Sequence, residues 1–378
     1  MINIAYVVST LKRSGPTNQL YSLIKYLEYN HIKPSVITLS AEPADSRLLD
    51  FKALEVGVYS LGLNRLQSFV QGRRKLRTLL EQLNIDLLQG QGLRADVLTS
   101  KLNETWPTIS TLHNYPQLDY PMTYGKFKGK IMAWRHMKSL EMIDYCVGVS
   151  KAVCKNAEDY YSVGEMIPIQ NGVDTDFFYQ PDKELKTSLR KKLNIPLGAV
   201  IWVSSGHLSE RKNPVFIIDA WKKHFGQNRN HHLVFLGSGP LEQACKKAVA
   251  GVKNIHLVGR VTEVLDHIQA SDYFISSSRA EGLPIAVLEA MACGLPVLLS
   301  DISPHREVWE FNRKSGILFE VDSETSFLEG LKLLSESDYE IRSDNAVRTI
   351  KDCFNARNMS KRYQELYKTI VSSRREYA

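Results

Sequence analysis

Two glutamates stand eight residues apart in a short apolar segment of the sequence. Glu281 begins the string Glu-Gly-Leu-Pro-Ile-Ala-Val-Leu-Glu, and Glu289 ends it. Pro284 suits the first turn of a helix, because its missing N–H would have no partner there, and Gly294 and Pro296 are typical of a helix end. We therefore expect Glu281 in a loop and Glu289 one to two turns inside a helix, about 10 Å away at the usual helical rise.

This arrangement suits a ligand with hydroxyl groups at both ends and negative charge in the middle. Free N–H groups at a helix N-terminus attract phosphate, and carboxylates accept hydrogen bonds from hydroxyls. Two glutamates at this spacing are ordinarily solvated surface residues, but the apolar neighbours Leu283, Ile285 and Val287 make an idle carboxylate costly. A sugar nucleotide is a ligand of this kind.

A cationic segment, residues 206–214, follows a predicted strand in the second half of the chain. It reads Gly-His-Leu-Ser-Glu-Arg-Lys-Asn-Pro. A cation at the end of a strand can meet a diphosphate, and one charge-assisted hydrogen bond to phosphate is worth about 1.5–3 kcal/mol. Taken alone, such a segment is more often a solvated turn, so its interpretation depends on the glutamate pair.

The glutamate string and its continuation Ala-Met-Ala-Cys-Gly-Leu-Pro-Val resemble the signature of the retaining glycosyltransferases of family 4, which have the GT-B fold. The resemblance implies that Glu281 contacts the hydroxyls of the donor sugar and Glu289 those of the ribose. It also implies that the amides near Gly282 and Leu283, together with Lys212, stabilise the leaving diphosphate.

Segment 206–214 is similar to the family stretch in which an arginine and a lysine hold the diphosphate. Lys212 matches the lysine. His207 stands where the arginine is usual, so either His207 binds there or Arg211 substitutes from a different position.

The resemblance also implies that five residues in other loops belong to the donor site. Gly15 matches the glycine loop that approaches the donor phosphate, although its single glycine lacks the spacing of a nicotinamide-binding loop. His113 resembles the family histidine that contacts the donor sugar near its anomeric centre. Gly237 lies in a strand-to-helix turn near the nucleotide, and Arg260 and Val261 match the segment facing the base.

Asp174 and Asp176 form an Asp-x-Asp pattern, which binds metal in a different glycosyltransferase architecture. Here the pattern follows Asn171 and Gly172, and these residue types favour turns. We predict a structural turn at Asp174 rather than a metal ligand. The resemblance implies a reaction that needs neither a metal nor any other cofactor.

Composition limits the class of protein. The 378 residues allow two domains, and 43% hydrophobic with 24% charged residues is ordinary for a globular chain. A net charge of +7 and a pI near 9.0 suit a nucleotide diphosphate, a membrane surface or nucleic acid. Five cysteines without a Cys-x-x-Cys pair favour a reducing compartment and count against zinc. With neither a signal-peptide pattern nor a long apolar run, we expect a cytoplasmic protein.

Short β-branched runs alternate with longer amphipathic ones, which predicts parallel sheets with helices on both faces. We predict strands near 3–9, 34–39, 86–89, 108–112, 145–149 and 167–170, and a second series near 200–204, 233–236, 255–258, 273–276 and 297–299. The fold class is therefore α/β with two doubly wound, Rossmann-like domains, 1–180 and 181–357. By resemblance to GT-B proteins, these domains face an interdomain cleft, and a last helix at 358–378 packs back on the first.

One amphipathic segment, 126–142, leaves two interpretations open. Phe127, Ile131 and Trp134 form an apolar stripe that could pack on the first-domain sheet. Alternatively, the adjacent cations and Trp134 rest on anionic lipid headgroups, which would place the protein peripherally at the inner face of the cytoplasmic membrane. The cations are Lys126, Lys128, Lys130, Arg135 and Lys138.

The prediction for function is a retaining glycosyltransferase that uses a nucleoside-diphosphate sugar, with a UDP-sugar favoured and GDP-mannose second. We expect a saccharide or lipid-linked acceptor in cell-surface polysaccharide synthesis, such as O-antigen, capsule or exopolysaccharide, and no nucleic-acid partner. Glu281, Lys212 and His113 are the predicted catalytic residues. Two alternatives of another class are a non-hydrolysing sugar-nucleotide epimerase and an inactive sugar-nucleotide-binding module.

Overall fold

The computed structural model of the chain describes residues 1–161, 163–226, 228 and 230–376, with side chains through residue 374. It divides into two compact units. The first unit comprises Met1–Gly172 together with the C-terminal segment from Ala356, and the second comprises Val173–Asn355.

The first unit contains a seven-stranded parallel sheet of order β3-β2-β1-β4-β5-β6-β7. Its strands are β1 (Ile2–Val8), β2 (Ile32–Thr38), β3 (Gly57–Ser60), β4 (Leu87–Gln91), β5 (Thr108–Leu112), β6 (Tyr145–Gly148) and β7 (Ile167–Pro168). Its helices are α1 (Gly15–Lys25), α2 (Leu48–Ala53), α3 (Arg65–Gln82), α4 (Leu93–Thr99), α5 (Pro116–Tyr124), α6 (Lys126–Leu140) and α7 (Lys151–Tyr160).

The second unit contains a six-stranded parallel sheet of order β10-β9-β8-β11-β12-β13. Its strands are β8 (Val200–Ser205), β9 (His231–Leu236), β10 (Ile255–Gly259), β11 (Tyr273–Ser276), β12 (Val297–Ser300) and β13 (Gly316–Phe319). Its helices are α8 (Lys183–Lys192), α9 (Pro214–Phe225), α10 (Glu242–Ala248), α11 (Val264–Gln269), α12 (Ile285–Ala292), α13 (Ser303–Phe311), a short 3-10 helix (Arg313–Ser315), α14 (Glu324–Glu336) and α15 (Tyr339–Cys353). The last helix of the chain is α16 (Ala356–Glu376).

Strand β1 shows why both faces of the first sheet are covered. Ile4 and Tyr6 lie in one hydrophobic cluster, and Ala5 and Val7 lie in another. Successive side chains of a strand point to opposite faces, so an apolar strand without polar alternation requires helices on both sides. The continuous apolar run near residue 5 thus dictates the layered architecture.

Helix α16 belongs to the first unit through buried tyrosines. Tyr363 and Tyr367 lie in the same cluster as Tyr6. The Tyr367 hydroxyl donates a hydrogen bond of 2.5 Å to Gln89 Oε1, and the Tyr6 hydroxyl donates one of 3.3 Å to Tyr367. The last two residues of the predicted helix, 377 and 378, lie outside the described residues.

The chain enters the second unit earlier than the predicted boundary at 180/181, between Gly172 and Val173. The residues just before the predicted boundary are bound within the second unit. The Gln180 side chain donates a hydrogen bond of 3.1 Å to Ser343, and the Gln269 side chain donates one of 2.9 Å to the Tyr179 carbonyl. The predicted bounds assign this stretch to the first domain, but these contacts make it part of the second unit.

Helix α6 does not bury its predicted apolar stripe. Phe127 is 82% exposed, Ile131 50% and Trp134 63%. The helix buries Ala133 and His136 instead, together with neighbouring residues on that side. The interpretation in which the stripe packs on the sheet is therefore wrong. Among the described residues, no helix combines the length and the apolar character needed to cross a bilayer.

Two glycines allow the loops after β8 and β9 to meet at the backbone. Gly206 and Gly237 have φ values of +147° and +143°, and a Cβ added at Gly237 would lie 1.9 Å from the Gly206 carbonyl oxygen. No side chain fits there, so glycine is required both for the backbone angle and for the close approach.

We therefore expect Gly237→Ala to lower the free energy of unfolding by at least about 3 kcal/mol, from strain and overpacking combined. Gly251→Ala is the matched control, because Gly251 also has a positive φ, +80°, but an added Cβ meets no atom within 4 Å. That control should lose only about 1–2 kcal/mol. Urea denaturation measures both, and equal losses would contradict the steric explanation.

Candidate functional site

The second sheet reverses its winding between β8 and β11. From β8 the strand order runs through β9 to β10 in one direction, and from β11 through β12 to β13 in the other. At such a switch point the loops leaving the carboxyl ends of the two strands diverge, and open parallel sheets bind ligands in the crevice between them. The two loops here, 206–213 and 277–284, carry the cationic segment and the first glutamate.

Backbone contacts fasten these two loops together. The Ser277 hydroxyl donates hydrogen bonds to the carbonyls of Lys212 at 3.1 Å and Asn213 at 2.9 Å. The Arg279 amide donates to the Arg211 carbonyl at 2.8 Å. The positions of the Arg211 and Lys212 side chains are thus set by residues near the end of β11.

A buried carboxylate joins both cations. Glu281 is 5% exposed, and its Oε1 lies 2.6 Å from the Lys212 ammonium while its Oε2 lies 2.6 Å from the Arg211 guanidinium. The Ser278 hydroxyl donates a third bond, of 2.7 Å, to Oε1. Arg211 also donates to the Ala280 carbonyl at 2.8 Å, which fixes its guanidinium in this position.

Burial acts to raise the pKa of Glu281, but the charges of Arg211 and Lys212 outweigh it and hold that pKa well below its usual range. The carboxylate is therefore ionised at any physiological pH. Both cations lie in a partly buried place, since the Lys212 side chain is 18% exposed and that of Arg211 21%. Cations in such a place interact strongly with an anion, because solvent screens them little.

His305 stands behind this cluster and carries no motif that would have revealed it. It is fully buried, and burial lowers its pKa to about 4, an effect that the nearby Glu281 charge partly opposes. Its Nδ1 lies 2.8 Å from the Ser300 carbonyl, so Nδ1 carries the proton and donates. Nε2, 3.5 Å from the Ser276 hydroxyl, then faces it as an acceptor. The only sequence signal was its place shortly after a predicted strand.

Helix α12 follows the first glutamate directly. Pro284 is the residue before the helix, Glu281 lies in the preceding loop, and Glu289 lies in its second turn. Glu289 is 9% exposed, so both carboxylates of the string are buried. Gly294, with φ +81°, follows the helix. The two glutamates thus flank the N-terminal turn of α12 within one unit.

The remaining candidates of the second unit lie just after the carboxyl ends of strands in the same sheet. His207 is exposed in the loop after β8, next to Gly206. The Gly237 amide donates a hydrogen bond of 2.7 Å to the Gly259 carbonyl, which connects the loops after β9 and β10. Arg260 is exposed and Val261 half-buried just beyond β10, two strands and roughly 10 Å from β8. Gly282 and Leu283 are buried ahead of α12.

The first unit holds the other two candidates, at carboxyl ends of its own strands. Gly15 is the exposed first residue of α1, which Ser14 caps. His113 follows β5, and its buried Nε2 has no hydrogen-bond partner among the described residues. Burial, assisted by the nearby His136, lowers the His113 pKa to about 4, so the ring is neutral near pH 7. The structure therefore brings Arg211, Lys212 and Glu281 together within the second unit, while Gly15 and His113 belong to the first.

A buried hydrogen-bonded chain in the first unit escaped the sequence analysis. His136 on α6 lies 2.7 Å from Asp96 on α4 through Nε2, and 2.9 Å from the Tyr120 hydroxyl on α5 through Nδ1. Asp96 is fully buried, and a Cβ added at Gly90 would lie 2.4 Å from its Oδ1. These residues are far apart in sequence, so no spacing pattern connects them. These two hydrogen bonds of His136 fix the rotation of α6 about its own axis.

Asp174 forms a turn. Its Oδ1 accepts a hydrogen bond of 3.1 Å from the Asp176 amide, and its carbonyl accepts bonds from the amides of Phe177 and Phe178. Within the described part of the chain, no group of three or more His, Cys, Asp or Glu side chains is arranged to hold a metal ion.

Two protein families match the chain in succession. Glycosyltransferase Family 4 matches residues 13–177, and Glycosyl transferases group 1 matches residues 186–351. The chain belongs to the family 4, group 1 glycosyltransferases. The transferase is 23% identical to the O-antigen biosynthesis glycosyltransferase WclY of Escherichia coli, over 98% of this chain and 99% of that protein. It is 27% identical to the UDP-Gal:alpha-D-GlcNAc-diphosphoundecaprenol alpha-1,3-galactosyltransferase of Escherichia coli, over 59% of this chain and 61% of that protein.

Solved structures share the fold of the transferase at low sequence identity. Sucrose-phosphate synthase from Thermosynechococcus elongatus superposes with a TM-score of 0.83 at 16% identity, covering 99% of this chain and all of that chain. Anabaena HepE in complex with UDP-glucose gives a TM-score of 0.81 at 15% identity, covering 98% of this chain and all of the other. The two Rossmann-like units therefore have the GT-B fold, as the sequence predicted.

We expect the transferase to lose stability on acidification, because His113 and His305 are neutral when folded. Their pKa values of about 4 lie below the ordinary 6.5, so the unfolded chain takes up protons first as the pH falls. Each histidine should cost about 1–2 kcal/mol between about pH 7 and pH 5. Urea denaturation at both pH values measures this loss.

His113→Asn should make the loss of unfolding free energy between about pH 7 and pH 5 smaller by about 1–2 kcal/mol, the amount attributed to one histidine. His31→Asn, at an exposed position, is the control for the substitution itself. If the free energy of unfolding of the His113 variant depended on pH as in the wild type, this would contradict a neutral His113 ring in the folded protein.

Proposed function

We propose that the transferase moves a sugar from a UDP-sugar to a saccharide or lipid-linked saccharide in cell-surface polysaccharide synthesis, with retention of anomeric configuration. The observation that carries this proposal is the cluster of Glu281, Arg211 and Lys212 at the switch point of the second sheet. The polysaccharide role is supported by the similarity to WclY over nearly the full length of both chains.

The choice of UDP is supported by two relatives. The similar galactosyltransferase is named for a UDP-Gal donor, and HepE was crystallised with UDP-glucose. GDP-mannose is the second candidate, because a GDP-mannose-dependent mannosyltransferase of Corynebacterium glutamicum is 29% identical over 38% of this chain and 40% of that protein. Arg260 and Val261, beyond β10, are the proposed neighbours of the base.

The proposed roles follow the charges of the site. Lys212 and the amides ahead of α12 stabilise the diphosphate as its charge develops, while Glu281 accepts hydrogen bonds from the sugar hydroxyls. Glu289 binds the ribose, and neutral His113 contacts the sugar. Arg211 already binds Glu281 and the Ala280 carbonyl, so we assign it to orienting Glu281. His207, exposed in the loop after β8, is the remaining candidate for a second phosphate contact.

Retention is proposed to proceed by attack on the same face from which the diphosphate leaves. The bond from the anomeric carbon to the diphosphate oxygen breaks, the acceptor oxygen bonds to that carbon, and the acceptor proton passes to the leaving phosphate. A double displacement on Glu281 is disfavoured, because both of its oxygens already bind cations and a buried carboxylate held in this way is a weak nucleophile.

A lipid-linked acceptor requires the transferase to work at a membrane surface. We propose that α6 contacts anionic lipid at the inner face of the cytoplasmic membrane through its cations and Trp134. Lys138 is committed to an ion pair of 2.7 Å with Glu141. The proposed electrostatic contacts are therefore chiefly Lys126, Lys128, Lys130 and Arg135.

Lys212→Ala should lower kcat/KM by about 10²-fold or more, because it removes a charge that faces the leaving group. Glu289→Ala should chiefly weaken donor binding, since a ribose contact is similar in ground and transition states. Lys223→Ala is the matched control, because Lys223 is also ion-paired, to Glu324, but is 63% exposed. Product analysis with UDP-sugars gives the rates, and UDP-dependent thermal shift gives binding. Wild-type values in both site variants would reject the site.

Transfer should survive chelation, because Lys212 and the helix terminus stabilise the charge of the diphosphate without a metal ion. We expect equal rates in EDTA and in Mn²⁺, measured by the same product assay. A rate abolished by EDTA and restored by Mn²⁺, but not restored in an Asp174→Asn variant, would make Asp174 a metal ligand and overturn the proposed mechanism.

A further inference from the structure

The first unit exposes apolar side chains on two helices that the proposed chemistry does not use. Three come from the first turns of α3 and three from α6, and soluble proteins rarely expose so many large apolar groups close together. The exposed residues, with their exposed fractions, are Leu66 (80%), Phe69 (68%), Val70 (78%), Phe127 (82%), Ile131 (50%) and Trp134 (63%).

Cations connect the two helices into one surface. The Arg135 guanidinium of α6 lies 5.5 Å from the centre of the Phe69 ring on α3, and the Lys101 ammonium lies 5.9 Å from the same ring. Arg135 directly follows Trp134 on α6. We call these six apolar residues, with Lys101 and Arg135, the α3–α6 face.

The charges around this face are almost all positive. Helix α6 carries five Lys or Arg residues and no Asp or Glu, and α3 carries five Lys or Arg residues and a single acid, Glu81. Apolar side chains between cations on a helix surface are typical of segments that lie in a lipid interface. There the apolar groups enter the acyl boundary, while long cationic side chains reach back to anionic headgroups.

We propose that the α3–α6 face inserts its apolar side chains into the interfacial region of an anionic bilayer. This inference rests on the proposed membrane contact of α6 and extends it in two respects. It adds α3 as a second membrane-contacting helix, and it adds apolar insertion to electrostatic attraction. Insertion is not screened by salt, whereas contacts between exposed charges and headgroups are.

The test is cosedimentation of the full chain with vesicles of equal parts phosphatidylglycerol and phosphatidylcholine, at about 50 mM and about 500 mM salt. We expect the wild type to remain partly bound at high salt. Serine at Leu66, Phe69 and Val70 together should weaken that salt-resistant binding at least about tenfold, because three large apolar side chains no longer leave water.

A control carries serine at three exposed apolar positions of the second unit, Leu197 (54%), Leu333 (57%) and Ile341 (53%). It should bind vesicles like the wild type. Wild-type binding by the folded α3 variant, or complete release of the wild type at high salt, would overturn the proposal. Failure to bind vesicles, with self-association that the α3 variant abolishes, would assign the face to a second copy of the chain instead.

Trp134 supplies a direct measure of insertion, because the other four tryptophans are less exposed. Brominated lipid should quench the fluorescence of the bound wild type, and Trp134→Phe should remove most of that quenching while preserving binding. Quenching unchanged by Trp134→Phe would overturn the insertion of α6. UDP-dependent thermal shift tests the donor site separately, and the α3 variant should respond to UDP as the wild type does.

Discussion

The site depends on one buried ion cluster, in which a single carboxylate binds two cations. Removing Glu281 would take away the carboxylate that Arg211 and Lys212 both bind, and breaking a buried ion pair is strongly destabilising. Conversely, the carboxylate can be buried only because both cations are present. The cluster therefore requires the loops after β8 and β11 to lie side by side, which the parallel sheet with its switch point provides.

Hydrogen bonds and close backbone contacts hold the loops around this cluster in place. Ser277 binds two carbonyls of the cationic loop, and Gly206 and Gly237 let neighbouring loops touch at the backbone. A site that stabilises developing charge works best when its dipoles and cations need no rearrangement during the reaction. Small residues near the strand ends thus serve the same purpose as the charged ones, because they hold the charges in place.

Local features of the site could be predicted from the sequence, and long-range ones could not. The order of Glu281, Pro284 and Glu289 along one loop and helix determines their arrangement, because a helix fixes geometry over a few residues. His305 and the pairing of Asp96 with His136 depend on contacts between distant segments. The short edge strands β3 and β13 were missed because they contain glycine and lack long apolar runs. The exposed stripe of α6 was ambiguous because its rotation depends on His136, not on its apolar residues.

The return of α16 to the first unit has a consequence for synthesis of the chain. The second unit is continuous in sequence, so it can fold as soon as Asn355 has left the ribosome. The first unit is discontinuous, and the buried tyrosines of α16 form part of its core beside Tyr6. Although translated first, it must wait with an incomplete core until the last helix emerges. The apolar residues of the first unit that pack against α16 in the folded protein thus remain without this helix throughout translation of the second unit.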